Sequence, residues 1–269
     1  MIACDMDGTL LDMNFIISKA DKEAISKAHA KGVIFTLCSG RSYVSLVKYA
    51  KELGVATKGS HVIGFNGGVI YDPHDNIILN EETLDVGIAS EVCRFFNNLA
   101  LDVEIVAYIN GENVLFEEGA VFAHEYQKTS AVKWRSVKDF PHAVKSQDTI
   151  AKIIFIGENT LLKNLEVALQ RKFGDRIAVF FTSKHLLEVT SKDCSKANGV
   201  KWVCGKLGID LVDVIAIGDN YNDLSMIAAA GLGVAVANAV PAAKDIANYI
   251  TTKSCSESAV AEVIEKFVL

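Results

Sequence analysis

Short apolar runs punctuate the first and last thirds of the chain: Ile2–Cys4, Val33–Cys38, Val62–Phe65, Val214–Ile217, Gly233–Ala235 and Tyr249–Thr251. Between them lie stretches with helical apolar spacing, at Lys19–Lys31, Ser42–Leu53, Lys196–Leu207 and Ser258–Phe267. Strands that are apolar throughout and alternate with helices predict a parallel sheet covered on both faces. From about Thr83 to Leu187 the grammar changes. A helical stretch at Leu84–Leu99 leads to Val103–Ile109, an Asn110-Gly111 turn and Val114–Glu117. Asn-Gly between two alternating runs is a hairpin signal. Thr149–Ile156, a helix at Thr160–Phe173, and the pair Ile177–Thr182 with His185–Val189 continue the mixture. The pattern predicts a second α/β unit with antiparallel pairing, inserted into the first, with crossings near residues 82 and 189. The domains are thus expected at 1–82 with 189–269, and at 83–188.

Composition narrows the class. A chain of 269 residues, half of them apolar and only three proline, can bury a large core and does not read as disordered. A net charge of −6 argues against a nucleic-acid partner held by phosphate neutralisation. Leu224–Ala243 carries no charge at all, its apolar residues are mostly Ala and Gly, and Gly231, Gly233, Asn238 and Pro241 interrupt it. It reads as helix, turn, buried strand and next helix, so no membrane partner is expected. The N-terminus opens directly on a strand with no basic or apolar leader, which predicts no signal peptide. The six cysteines show no metal-ligand spacing, and several sit in apolar runs as small hydrophobes. Reduced thiols and a cytoplasmic location follow as expectations.

The chemistry concentrates where strands end. Ile2-Ala3-Cys4 runs into Asp5-Met6-Asp7-Gly8-Thr9, placing carboxylates at i and i+2. Strand alternation would point Asp5 and Asp7 the same way, with Met6 toward the core. Paired carboxylates share a proton or bind a cation. Alone, such a pair is more often a solvated turn. A second acidic loop, Gly218-Asp219-Asn220-Tyr221-Asn222-Asp223, follows the strand at 214–217. Between them, Ser39-Gly40-Arg41 closes a buried strand at a strand-to-helix junction, where backbone amides can hold an anion, and Lys196 opens another helix. All four segments follow strands, so they converge on one sheet edge.

Asp-x-Asp-Gly-Thr, strand–Ser-Gly-Arg, Lys before a helix, and Gly-Asp-x-x-Asn-Asp, in that order, resemble the four motifs of the haloacid dehalogenase (HAD) superfamily of phosphohydrolases. Asn66-Gly67-Gly68 and the segment Gly231–Ala239 are similar to its Cof-type class II (IIB) sugar-phosphatase branch. The resemblance covers nearly the whole chain and implies an α/β fold: a Rossmann-like, doubly wound parallel-sheet core with an inserted α/β cap domain above the active site. It implies a Mg²⁺-dependent phosphatase acting on a small phosphorylated metabolite, a sugar phosphate, as a monomer or weak homodimer. In that scheme Asp5 attacks phosphorus, and Asp7 protonates the leaving oxygen and then activates water. Mg²⁺ is held by Asp5, the main-chain carbonyl of Asp7, and Asp219. Ser39, the Gly40 amide, Lys196 and Asn222 bind the phosphate, Asn222 alternatively reaching the metal shell. Asp223 orients Lys196 or a metal-bound water.

Other residues carry less. Arg41, in a first helical turn, is either a substrate contact or structural, and Asn66 either touches substrate or serves a turn. His29, His61, His74, His124, His142 and His185 show no ligand spacing; Trp134 and Trp202 are expected to pack; Lys19–Glu23 reads as a solvated helix face. Two departures from the family pattern stand out. Glu257-Ser258-Ala259 lacks the usual Gly after an acidic pair, and the first strand is short. Rival readings are a phosphomutase and a non-catalytic phosphometabolite-binding module. A receiver domain fits Asp7 and the insertion badly. A phosphonatase would need a lysine for a Schiff base, and nothing singles out Lys128, Lys133, Lys145 or Lys152.

Overall fold

The computed structural model describes residues 1–111, 113–123, 132–145 and 147–269, with only the backbone of Pro141; His124 and Lys128 lie outside the described residues. The chain divides into two compact units, Met1–Glu81 with Ser195–Leu269, and Glu82–Cys194. In chain order the first unit begins with β1 (Ile2–Cys4), α1 (Lys19–Ala30), β2 (Phe35–Cys38), α2 (Tyr43–Glu52), β3 (Val62–Gly64), β4 (Val69–Asp72) and β5 (Ile77–Glu81). The second unit contributes α3 (Val86–Asn97), β6 (Val103–Ile109), β7 (Asn113–Glu117), β8 (Lys133–Val137), α4 (Phe140–Ala143), β9 (Ile150–Gly157), α5 (Asn159–Phe173), β10 (Ile177–Ser183) and β11 (Leu186–Ser191). The first unit resumes with α6 (Lys196–Leu207), β12 (Ile215–Gly218), α7 (Leu224–Ala229), β13 (Leu232–Ala235), α8 (Pro241–Ile246), β14 (Tyr249–Ile250) and α9 (Ala259–Phe267).

The first unit is built on one sheet, ordered β14-β13-β12-β1-β2-β3-β4-β5. The six strands from β14 to β3 are parallel, and β1 lies between β12 and β2, with Ile2 opposite Ile215 and Phe35. Every residue of β1 and β2 is buried, which their apolar character, broken only by Thr36, anticipates. Two antiparallel strands, β4 and β5, extend the sheet beyond β3 and were not evident from the sequence. Their Asp72–Asn76 connection is a side-chain-stabilised turn: Asp72 Oδ1 accepts from the amides of His74 and Asp75. Val33 and Ile34 stay outside β2, because the Val33 amide donates to Ala28 O in the turn that ends α1. Likewise β3 stops at Gly64, and Phe65–Gly67 forms a turn of 3-10 helix.

The second unit has its own sheet, ordered β10-β11-β9-β6-β7-β8, with only β7 and β8 parallel. Asn110 and Gly111 both take positive φ, 49° and 68°, the conformation that a tight hairpin turn requires. Its core joins Val92 and Phe96 of α3, Leu162 and Leu169 of α5, and Ile105, Phe155 and Leu187 of the sheet. Lys152 is buried here and paired with buried Glu188 at 2.8 Å. Trp134 packs edge-on against Phe116, and Trp202 packs on the first unit's core. All six cysteines are buried, and none is in a disulfide. Among the described residues, no helix is long and apolar enough to cross a membrane.

One expectation fails on a single residue. Asp21 is fully buried, not on a solvated face. Ser258 takes the left-handed conformation (φ 72°, ψ 53°) at the start of α9, and its side chain does not cap that helix. Asp21 of α1 supplies the missing acceptor: its Oδ1 takes the Ala261 amide at 2.7 Å, while Ser18 donates to Oδ2 at 2.8 Å. Ser18 and Ser258 hydroxyls also meet at 2.8 Å. Burial raises the Asp21 pKa, so its charge costs the folded state something. Asp21→Ala should therefore lower stability by about 1–3 kcal/mol by stranding a buried amide. Asp21→Asn, which keeps an acceptor and carries no charge, should lose less; urea-unfolding midpoints of the two variants check this.

Candidate active site

The site grows from the ends of β1, β2, β3 and β12, all in the first unit. β1 stops at Cys4, one residue before Asp5, so strand alternation does not govern the two aspartates. Met6 is buried as expected, but Asp5 is buried while Asp7 is exposed, and their carboxylates face different partners. The expectation that both point the same way is thus corrected: the chain has already left the strand. Asp5 is fixed by its amide, which donates to Ile217 O of β12 at 2.9 Å.

Lys196 is the centre of the cluster. It is fully buried, and its Nζ donates to Asp5 Oδ1 and to Asp223 Oδ1, both at 2.5 Å. A lysine in the first turn of α6 opposes the helix dipole, so the two carboxylates are what stabilise its charge there. Burial alone would lower its pKa, yet the charges of Asp223 and Asp5 outweigh it and hold the ammonium above its ordinary value. The helix itself is started by Ser195, whose side chain accepts from the Asn198 amide at 3.1 Å.

Asp223 divides its oxygens. Oδ1 takes Lys196, and Oδ2 accepts the amides of Asp219 and Asn220, each at 3.0 Å. Asp219 is half-buried and receives the Thr9 hydroxyl at 3.0 Å. Burial, reinforced by the Asp223 charge, pushes Asp219 up to about 6. Burial also lifts Asp5 well above the usual carboxylate range; Asp223 and Asp219 add to the shift and Lys196 offsets part of it.

Asp5, Asp219 and Asp223 each bring one carboxylate oxygen within 4.8 Å of the others. Three hard oxygen donors against one ammonium leave excess negative charge, and a divalent cation matches that donor set. Since Asp223 is engaged with Lys196 and two amides, Asp5 and Asp219 are the carboxylates placed to take such an ion.

The neighbouring loops complete the frame. Ser39 is buried; its amide donates to Ile63 O, its carbonyl accepts the Asn66 amide, and its hydroxyl accepts the Arg41 amide at 3.2 Å. α2 is capped by Ser42, whose hydroxyl accepts from Val44, so the helix begins at Tyr43 and Arg41 lies in the loop before it, not in its first turn as expected. Asn66 is buried with positive φ (58°) and accepts from Asn222 Nδ2 at 2.9 Å, tying the turn after β3 to the acidic loop after β12. A Cβ on Gly40 would lie 3.2 Å from the Asn66 amide group, so the Ser39–Arg41 loop packs directly on it. Asp7 is held separately, by Arg41 through Nε at 2.7 Å and Nη2 at 2.5 Å.

Two glycines make the assembly possible. Gly8 has φ +81°, and a Cβ there would meet Asp219 Oδ2 at 2.6 Å. Gly67 has φ +100°, and a Cβ would lie 2.2 Å from Ser195 O, at the cap of the helix that carries Lys196. The structure therefore gathers Asp5, Lys196, Asp219 and Asp223 around shared contacts, joins Asn66 to Asn222, and pairs Asp7 with Arg41. Two contributors escaped the sequence reading. Thr9 is buried and bonds Asp219. Asn238 donates to Gly8 O at 2.7 Å and accepts the Cys255 amide at 2.8 Å. Thr9 sat inside the Asp-x-Asp-Gly-Thr motif, which was the available signal; Asn238 had only its place in an apolar segment.

Comparison with known proteins identifies the family. The family model for haloacid dehalogenase-like hydrolases matches residues 2–264. YxeH of Bacillus subtilis, which carries a provisional phosphatase name, is 30% identical over 275 residues, spanning 100% of this chain and 98% of that protein. YcsE of Bacillus subtilis, named a 5-amino-6-(5-phospho-D-ribitylamino)uracil phosphatase, is 30% identical over 269 residues, spanning 100% of this chain and 96% of YcsE. The crystal structure of a haloacid dehalogenase-like hydrolase from Bacteroides thetaiotaomicron superposes with a TM-score of 0.85 at 29% identity, over 98% of both chains. The chain therefore belongs to the haloacid dehalogenase-like hydrolases, a family of phosphatases, in their Cof-type branch.

Proposed function

We propose that this protein is a Mg²⁺-dependent phosphatase that hydrolyses the phosphate ester of a small metabolite of the sugar-phosphate class, through an aspartyl-phosphate on Asp5. The observation that carries the reading is the buried Lys196 ammonium shared by Asp5 and Asp223, with Asp219 alongside. A phosphatase needs a carboxylate kept nucleophilic in a site that also tolerates a dianionic phosphate. Lys196 serves both needs, favouring the ionised form of Asp5 and adding positive charge where phosphate oxygens gather negative charge.

Asp5 would attack phosphorus as the ester P–O bond breaks, and Asp7 would give its proton to the departing alkoxide. Asp7 would then take a proton from water as the water oxygen attacks phosphorus. The bond to Asp5 breaks, and inorganic phosphate leaves. The Ser39 hydroxyl, already accepting from Arg41, keeps its hydrogen to donate to a phosphate oxygen. The Gly40 amide and Asn222 would serve the same oxygens, with Asn66 orienting Asn222. Asp5, the Asp7 carbonyl and Asp219 would hold Mg²⁺, which supplies charge neutralisation for the transferring phosphoryl group.

The inserted unit, Glu82–Cys194, is read as the cap that selects the substrate. YcsE supports the substrate class, since its name describes a phosphorylated ribityl group, and this chain spans YcsE almost completely.

Phosphate release from a panel of sugar and sugar-alcohol phosphates with Mg²⁺ tests the reading directly. Wild type should release phosphate and Asp5→Asn should not; substantial turnover by Asp5→Asn would exclude the covalent route. Asp7→Asn should slow turnover by about 10²–10⁴-fold with the fold intact, since it removes the acid/base group. Metal dependence should carry the signature of Asp219. A carboxyl raised to about 6 is protonated below that pH and must lose its proton to bind an ion. Apparent Mg²⁺ affinity should therefore fall as pH drops through about 6; a titration at several pH values that shows no such slope would remove Asp219 from the metal site.

A further inference from the structure

Arg41 departs from what an exposed ion pair usually offers. Its backbone is pinned on both sides: its amide donates to Ser39 Oγ at 3.2 Å, and its carbonyl accepts the Phe65 amide at 2.8 Å. Its guanidinium meets Asp7 fork to fork, Nε to Oδ2 at 2.7 Å and Nη2 to Oδ1 at 2.5 Å, so the carboxylate plane is set as well as its position. The Arg41 side chain is 23% exposed and that of Asp7 44%, a setting in which a mobile pair would fix little.

Two aromatic rings flank the guanidinium. Arg41 Cζ lies 5.1 Å from the Phe15 ring centroid and 6.0 Å from that of Tyr49. Phe15 pays for its place: it is 53% exposed and has φ +60°, which a bulky residue rarely adopts. The loop that presents it is built on Asp12. Its Oδ1 accepts the amides of Asn14 and Ile16 at 2.9 and 2.8 Å, and its carbonyl accepts the Phe15 amide at 3.0 Å. A half-exposed aromatic held in a strained turn over a guanidinium has no core to fill; what it does is confine Arg41.

We propose that Arg41 is the positioning residue of Asp7, and that Phe15 and Tyr49 confine the guanidinium that holds the Asp7 carboxylate. The inference rests on the reading of Asp7 as the acid/base group. It assigns Arg41 a role through Asp7 and not through the substrate. Only arginine suits the place, because a lysine ammonium is a point charge without the planar fork.

Steady-state kinetics of wild type, Arg41→Met, Arg41→Lys, Phe15→Ala, Asp7→Asn and the double variant Asp7→Asn/Arg41→Met decide the matter. Expected for Arg41→Met is a fall in kcat of roughly tenfold or more, with KM changed by less than about threefold. Lysine should not rescue it, and Phe15→Ala should show a smaller fall of the same kind. In the Asp7→Asn background, Arg41→Met should cost no more than about twofold, because the catalytic group through which it is proposed to act is already disabled. A KM raised with kcat intact, or losses that multiply in the double variant, would overturn the proposal and make Arg41 a substrate ligand. Unchanged kinetics in both Arg41→Met and Phe15→Ala would overturn it too.

A readout independent of turnover is the Arg41 Nε–H resonance. It should exchange slowly with water in wild type and quickly in Asp7→Asn and Phe15→Ala, and fast exchange in wild type would refute the clamp even in an inactive protein. Failure of wild type to release phosphate from any substrate, with slow exchange retained, would sink the phosphatase reading and leave the clamp standing.

Discussion

A fully buried ammonium, Lys196, shared at 2.5 Å between Asp5 and Asp223, is the constraint around which the first unit is arranged. Three chain segments distant in sequence must end at one point to make it. The cost of error is steep, because removing one partner of a buried ion pair strands the other charge in a medium that solvates it poorly. Several local features read as provisions for this contact. Gly67 lets the turn after β3 approach the Ser195 carbonyl, the cap of α6. The amides of Asp219 and Asn220 hold the second oxygen of Asp223. The Thr9 hydroxyl steadies Asp219. The same packing that makes Asp5 hard to ionise by burial gives it the cationic neighbour that favours ionisation, and a divalent ion would complete the compensation.

Two aspartates separated by a single residue acquire opposite surroundings. Asp5 lies in the buried cluster, and Asp7 reaches outward to Arg41. That division suits the two roles proposed for them. A nucleophile benefits from a fixed position beside a permanent positive charge, whereas an acid/base group must exchange protons with a leaving group and with water. Chain geometry produces the split: β1 ends at Cys4, and Gly8, with its left-handed φ, turns the backbone away under Asp219.

Away from the site, the protein shows how a departure from a family pattern is accommodated. Ser258 adopts a backbone conformation that glycine adopts at less cost, and Asp21 of α1 reaches over to satisfy the Ala261 amide of α9. Residues that look like a polar helix face in sequence thus include one that secures the C-terminal helix. In the second unit a comparable burial of charge occurs at Lys152 and Glu188, where the Thr182 hydroxyl adds a bond to the same carboxylate oxygen.

What the sequence determined by itself were the features carried by local pattern. The apolar strand runs and helical spacings gave the strands of the parallel sheet and the helices between them. The Asn110-Gly111 pair gave its hairpin, and the order of four short motifs gave the family and the list of residues worth examining. Each depends on neighbours within a few positions, where period and turn chemistry act. The partners of those residues were decided only by tertiary structure. Nothing near Asp7 in sequence points to Arg41, nothing near Arg41 points to Phe15, and nothing near Asp21 points to Ala261. The antiparallel strands β4 and β5 were missed because exposed Ile77 and Ile78 follow a polar turn without a strong alternating pattern. Such contacts join loops across a sheet edge or helices across a core. They are chosen by distance, burial and charge in three dimensions, and a linear pattern does not encode them in any single window.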